Sequence, residues 1–282
     1  MKACKPYFIN LALTGVIPTK AMTPHVPVTP KEITADAHNA INLGVQMLHL
    51  HARDEHQNQS SKPMDYGRLI HEIRELENGE DTILCVTTSG RSDPSYETRC
   101  KVLDLSDDIK PDMASLTLSS LNFVQSASVN SPTTIRKLAE HMQKRGIKPE
   151  LEVFDLGMAN FVGVLAKEGL IAPPYYVNVL LGNISGGQAS MLELSAILSA
   201  LPKESIVAVA GLGKFQLTAN NMGILFTDGI RVGLEDNIWF DQNKKIQATN
   251  SSLISRIKVL ADAHERPLLT RTELRTCLKI TR

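Results

Sequence analysis

The chain has 282 residues, 43% apolar and 21% charged, and its 30 Lys+Arg balance its 30 Asp+Glu. That length suits one large domain or two ordinary ones, with a composition normal for a globular chain. Without net charge no global field recruits nucleic acid or an anionic membrane, and no apolar run approaches the roughly 20 residues that span a bilayer.

The first apolar run, inside MKACKPYFINLALTGVIP, reaches Pro18 without a small-residue cleavage site. It reads as a strand over Tyr7–Leu13 rather than a signal peptide. Thr29-Pro30-Lys31-Glu32 is a capping box with proline at the first helical position; it opens a helix to about Asn42, which Gly44 stops. A second strand follows at Val45–His51, then a helix marked by the stripe Leu69, Ile70, Ile73 and Leu76. Strands are expected at Thr82–Thr88 and Asp112–Leu118, and Ser131-Pro132 caps a helix carrying Ile135, Leu138 and Met142 toward Gly146. Strands at Glu150–Phe154, Tyr176–Leu181, Ile206–Ala210 and Ile230–Gly233 then alternate with helices at Met158–Glu168, Met191–Leu201, Phe215–Phe226 and Asn250–His264. Eight such repeats without a linker predict an α/β fold, a (β/α)8 TIM barrel, as a single catalytic domain over residues 1–282. A doubly wound sheet is the alternative, but no GxGxxG follows the first strand. The four cysteines (Cys4, Cys85, Cys100, Cys277) show no CxxC spacing, which suits reduced thiols in a cytoplasm.

In this fold active sites sit at the C-terminal ends of the strands. VQMLHLHARD ends the second strand with His49 and His51, which alternation puts on one face, about 6–7 Å apart at Cβ. Two such imidazoles can share one metal ion at about 2 Å from each nitrogen; they can equally be two polar residues hydrogen-bonded locally. Thr14, Thr87 with Thr88, Ser115 with Thr117, and Glu152 with Asp155 end other strands, and Arg231-Val232-Gly233-Leu234-Glu235-Asp236-Asn237 follows the last. A carboxylate there would complete a zinc site with an open position for substrate. Each of these residues also has a plainer role, as a helix cap, a structural ion pair or a turn acid at a helix start.

The motifs ALTG (Ala12–Gly15), HVPVTP (His25–Pro30), HLHARD (His49–Asp54), TTSGR (Thr87–Arg91), SLTLSSLNF (Ser115–Phe123), KPELEVFDLGM (Lys148–Met158) and RVGLEDN (Arg231–Asn237) run almost end to end. Carrying them in this order, the chain resembles the β-keto acid cleavage enzymes. The resemblance implies a zinc-dependent barrel that condenses a β-keto acid with acetyl-CoA to give acetoacetate and a new acyl-CoA, and a homo-oligomer. It makes His49, His51 and Glu235 the zinc ligands and Thr87 the counterpart of a family serine beside the substrate. Gly90, Ser115 and Thr117 match other pocket positions, and Glu152, Arg231 and Asp236 match residues of proton handling and orientation. The family's best-known member holds a substrate ammonium with a glutamate just after its Thr-Gly-Ala run; here Ile17 takes that place, so a substrate without a cationic tail is expected. Thr227-Asp228-Gly229 departs from a Gly-Gly-His of many relatives.

Glycine-rich loops, Gly182–Gly187 and Gly211–Lys214, could bring backbone N–H groups to the phosphates of coenzyme A. Of the other histidines, His25 is the one not read simply as surface. Two rival classes remain, another metal-dependent barrel reaction (a hydrolase or a retro-aldol lyase) and a barrel that binds a metabolite without catalysis. A hydrolase of the HxH type needs further histidines after the fifth and sixth strands, and none lies between His141 and His264. A barrel that binds a metabolite without turnover would have lost Glu235 or Arg231, and both are present.

Overall fold

Short strands buried on almost every residue, most of them followed by a helix, organise this chain. The computed structural model describes residues 5–54 and 56–281; Cys4 and the start of the N-terminal run lie outside them. The strands are β1 (Phe8–Ala12), β2 (Met47–Leu50), β3 (Ile83–Val86), β4 (Met113–Thr117), β5 (Leu121–Asn122), β6 (Ala127–Ser128), β7 (Lys148–Val153), β8 (Tyr175–Leu181), β9 (Ser205–Gly211) and β10 (Gly229–Val232). Eight of them close a parallel barrel in the order β1-β10-β9-β8-β7-β4-β3-β2, while β5 and β6 form a separate antiparallel hairpin. The (β/α)8 barrel expected from the sequence is therefore the fold.

The helices are α1 (Pro30–Asn42), α2 (Pro63–Arg74), α3 (Tyr96–Arg99), α4 (Pro132–Arg145), α5 (Leu156–Lys167), α6 (Met191–Ala200), α7 (Gln216–Phe226), α8 (Asn250–Ala263) and α9 (Arg271–Leu278). The α1 start is the predicted capping box, Thr29 and Glu32 each taking the other's backbone N–H. Gly146 ends α4 in the left-handed conformation. Three elements were not expected. The β3–β4 connection holds only the one-turn α3 and two short 3-10 turns, the β5–β6 hairpin follows β4, and α9 follows α8.

Two apolar cores result. The larger lies between the barrel's outer surface and the helices, with Ile9, Leu11, Leu48, Leu50, Ile70 and Ile257 among its members. The smaller fills the N-terminal end of the barrel with Phe8, Met47, Ile83, Cys85, Met113, Tyr176 and Ala208. Leu274 and Leu278 of α9 join that cluster and close this end. Strand register then sets the heights at the opposite end: Ala12 pairs with His49, His49 with Cys85, and Thr117 with Glu152.

Candidate active site

Within the barrel a polar layer sits above the apolar plug. Asn10 and Asn178 donate to Glu150 Oε1 at 2.7 and 3.2 Å. Glu150 Oε2 meets His49 Nδ1 at 2.6 Å, and both side chains are buried. This pairing leaves His49 Nε2 for a ligand above it. Glu150 was not singled out in the sequence, although E-x-E spacing puts it on the face of Glu152, one step deeper.

Above this layer His49, His51 and Glu235 converge, their ligand atoms all within 4.8 Å of one another. His51 Nε2 lies 3.2 Å from Glu235 Oε1. Two glycines permit this. A Cβ at Gly15 (φ +58°) would stand 2.4 Å from Glu235 Cγ, and one at Gly233 (φ +153°) 2.0 Å from the Ala12 carbonyl oxygen. Side chains at either position would push the β10 loop away from the histidines. Arg53, of the same HARD motif, donates to the carbonyls of Gly15 and Pro18 at 2.8 Å and so holds the β1 loop that carries Ile17.

Arg231 is fully buried and central. Its Nε donates to Asp236 Oδ2 at 3.0 Å, and its Nη2 donates to Asp236 Oδ1 at 3.1 Å and to Glu235 Oε1 at 2.9 Å. Its Nη1 has no hydrogen-bond partner and lies 3.8 Å from Glu152 Oε1. Thr117 Oγ1 donates to Glu152 Oε2 at 2.6 Å.

The electrostatics separate these carboxyls. Burial and the neighbouring Glu150 charge push Glu152 up. Burial also raises Asp236, against the opposing pull of Arg231. For Glu235 burial is outweighed by His51 and Arg231, which hold its carboxyl well below the usual range. Burial depresses His51, whereas at His49 the Glu150 carboxylate overcomes burial and raises it. The site therefore offers one firmly ionised carboxylate beside two whose ionisation is disfavoured, a division of labour typical of acid–base sites.

These residues line one cavity of about 530 Å³, which also takes in Ile17, Thr87, Arg91, Phe123, Gly182 and Gly213. Of the residues expected at the site, Ile17, His49, His51, Thr87, Thr117, Glu152, Arg231, Glu235 and Asp236 are brought together there. Ser115 and Gly90 sit behind the lining. The Ser115 hydroxyl accepts the Thr88 N–H at 3.1 Å, and Gly90 lets its loop close on the Val129 carbonyl and Arg99. Asp155 is the α5 cap and Thr14 accepts from Arg53, so both take structural roles. His25 and Lys214 are exposed, and neither lines the cavity. His141 bonds Tyr96 and Asp104 away from it, and His49 and His51 are the cavity's histidines among the described residues.

The donor set suits a metal. Two imidazoles and a carboxylate with an open side match three-ligand zinc sites, and Glu235 Oε2 and His51 Nδ1 are buried polar atoms without partners.

A closed barrel with a donor triad and paired carboxyls at the C-terminal rim defines a TIM-barrel enzyme site. The sequence profile of the beta-keto acid cleavage enzymes matches residues 6–280. The chain belongs to that family. It is 31% identical over 275 residues to the 3-keto-5-aminohexanoate cleavage enzyme of Acetoanaerobium sticklandii, covering 97% of this chain and 98% of that one. It is 32% identical over 278 residues to the 3-oxoadipate:acetyl-CoA acetyltransferase of Cupriavidus necator, covering 97% and 95%. Among solved structures, apo ObcA superposes with a TM-score of 0.81 at 20% identity over 93% of this chain and 66% of that one, a likeness of fold.

Proposed function

We propose that the protein is a zinc-dependent acyltransferase that condenses a β-keto acid with acetyl-CoA and releases acetoacetate and a new acyl-CoA. The observation that carries this reading is the convergence of the His49–His51–Glu235 triad with the Arg231–Asp236 pair on one cavity, in a chain of this family. Relatives named as acetyl-CoA transferases support the choice of co-substrate.

His49, His51 and Glu235 would hold the zinc ion, which when bound supplies a Lewis acid for the keto-acid oxygens. The chain's own residues do the rest. Asp236, fixed by two hydrogen bonds from Arg231 and disposed by burial to take a proton, removes one from C2 of the keto acid. C2 then forms a bond to the thioester carbon of acetyl-CoA, and the coenzyme's thiolate leaves. That thiolate adds to the C3 ketone, the C2–C3 bond breaks with its electron pair passing to C2, and the proton returns there. Acetoacetate and the new thioester result without net oxidation. Arg231 Nη1, the unpartnered donor, and the Thr87 hydroxyl stabilise oxygen charge as it develops. Glu152, held by Thr117, orients this arginine.

Ile17 borders the cavity where an ammonium would need an acid, so the substrate's tail is not cationic. The loops after β8 and β9, with Gly182, Asn183, Leu212 and Gly213 on the cavity wall, form the coenzyme side. A single catalytic domain over residues 1–282, acting as a cytoplasmic homo-oligomer, completes the proposal.

The test is zinc content together with CoA-thioester formation from a panel of β-keto acids and acetyl-CoA. About one zinc per chain and turnover that chelation abolishes and zinc restores are expected. A metal-free protein that turns over equally well would remove the metal; zinc without any thioester product would remove the reaction.

A further inference from the structure

One cation in the cavity has no task in the reaction above. Arg91 and Arg231 are the cavity's two basic side chains besides its histidines, and Arg231 is committed to Asp236 and Glu235. Arg91 donates no side-chain hydrogen bond and makes no ion pair among the described residues, and its buried Nε is without a partner. Every other described arginine spends at least one donor, on a carbonyl, a hydroxyl or a carboxylate. Its half-buried guanidinium thus has one donor, Nε, shut off from water and unpaired, a cost that an anion received on that edge would offset.

The guanidinium is also pre-arranged. Its carbon lies 3.5 Å from the centroid of the Phe123 ring, which in turn meets Phe154 edge-on with centroids 5.9 Å apart. Contact with the ring limits how the guanidinium can turn, and a guanidinium whose side-chain donors are unpaired can receive a carboxylate on two parallel hydrogen bonds.

Its place in the barrel narrows the anion. Arg91 follows β3 on the loop that carries Thr87, whereas the glycine-rich loops assigned to the coenzyme follow β8 and β9. The keto acid's own carboxylate and ketone belong at the triad. What remains for Arg91 is the tail, in a cavity whose lining also takes in the apolar Ile17, Leu121, Phe123 and Phe154.

We propose that Arg91 is a specificity-determining residue that binds a second, distal carboxylate, so that the preferred substrate is a β-keto dicarboxylate. The proposal rests on the function proposed above and names the substrate class of that same site.

The experiment measures kcat/KM with zinc-loaded wild type, Arg91→Met and Arg91→Lys. The substrates are matched pairs: 3-oxoadipate with 3-oxohexanoate, and 3-oxopimelate with 3-oxoheptanoate. Wild type should favour the dicarboxylate of at least one pair by about tenfold or more. Arg91→Met should lower that dicarboxylate by about 10–100-fold, the scale of charge-assisted hydrogen bonds, and move the monocarboxylates and the KM for acetyl-CoA by less than about twofold. Arg91→Lys, keeping charge without the fork, should retain part of the preference. Equal losses on both members of a pair would place Arg91 at the shared carboxylate and overturn the proposal. A raised KM for acetyl-CoA but not for acetyl-pantetheine would make it a phosphate ligand and overturn it as well. If wild type turns over the monocarboxylates yet shows no dicarboxylate preference, Arg91 fails while the acyl transfer stands. Turnover of no keto acid at all removes both.

Discussion

The two ends of the barrel interior are built on the same strands and differ in everything else. At the N-terminal end β2 contributes Met47, β1 Phe8 and β3 Ile83, and α9 seals them with Leu274 and Leu278. Two residues further along, the same inward column presents His49, Asn10 and Cys85, and beyond them come His51 and Thr87. On β7 the column runs from Lys148 through Glu150 to Glu152. The lesson is that a closed barrel stacks its chemistry in layers. The apolar layer fixes the strands, the middle layer of Asn10, Glu150 and Asn178 fixes His49, and none of those three middle-layer residues is among the cavity's lining.

If the layers divide labour in this way, substitutions at the top should change chemistry and those at the bottom should change stability. The largest effect is expected from His49→Ala/His51→Ala. Elemental analysis should find the metal gone and assays should find no thioester formation above background. Undiminished zinc in that double variant would falsify the ligand assignment. Next come Asp236→Asn and Arg231→Ala, which should keep the metal and lose roughly 10²–10⁴-fold in turnover, the span of general acid–base catalysis. Near-normal rates with both variants would return the pair to a structural role.

A smaller effect belongs to Ile17 at the edge of the top layer. An ammonium against this side chain sheds water without gaining a partner, at an effective cost of several kcal/mol in a dry site. At about 1.36 kcal/mol per tenfold, wild type should prefer 3-oxohexanoate to its 5-amino derivative by roughly 10². Ile17→Glu should narrow or reverse that ratio; equal rates on wild type would show that Ile17 does not read the tail. The smallest catalytic effect is expected at the sealed end. Leu274→Ala should cost about 2–5 kcal/mol of unfolding free energy by opening a cavity beneath the barrel. Turnover of the protein that remains folded should stay within about twofold. A large loss of rate at unchanged stability would mean that the layers are not separable.

Much of this was legible in the residues themselves. Capping at Thr29-Pro30 and Ser131-Pro132, short apolar runs for the strands and helical stripes between them were enough to count eight repeats. Short-range rules govern those signals, because each depends on neighbours within a turn or two. The same rules put His49 and His51 on one face, and the motif resemblance pointed to Glu235.

What the sequence could not disclose depended on contacts across many residues. Glu150 holds His49 from a strand 101 positions away, and nothing near either residue announces the pair. Ser115 and Gly90 match pocket positions, yet the Ser115 hydroxyl takes the Thr88 N–H and Gly90 packs against the Val129 carbonyl and Arg99, which puts both behind the lining. The α9 helix is amphipathic like any surface helix, and only a closed barrel supplies the apolar end that its leucines cover. Arg91 could have been one more solvated charge. Its setting comes from a hairpin more than thirty positions on, whose Phe123 ring lies against the guanidinium. Local sequence determined the elements and the chemical inventory of this protein; which groups face one another was decided by ring closure, since only the closed sheet sets the heights and spacings on which hydrogen bonds and ion pairs depend.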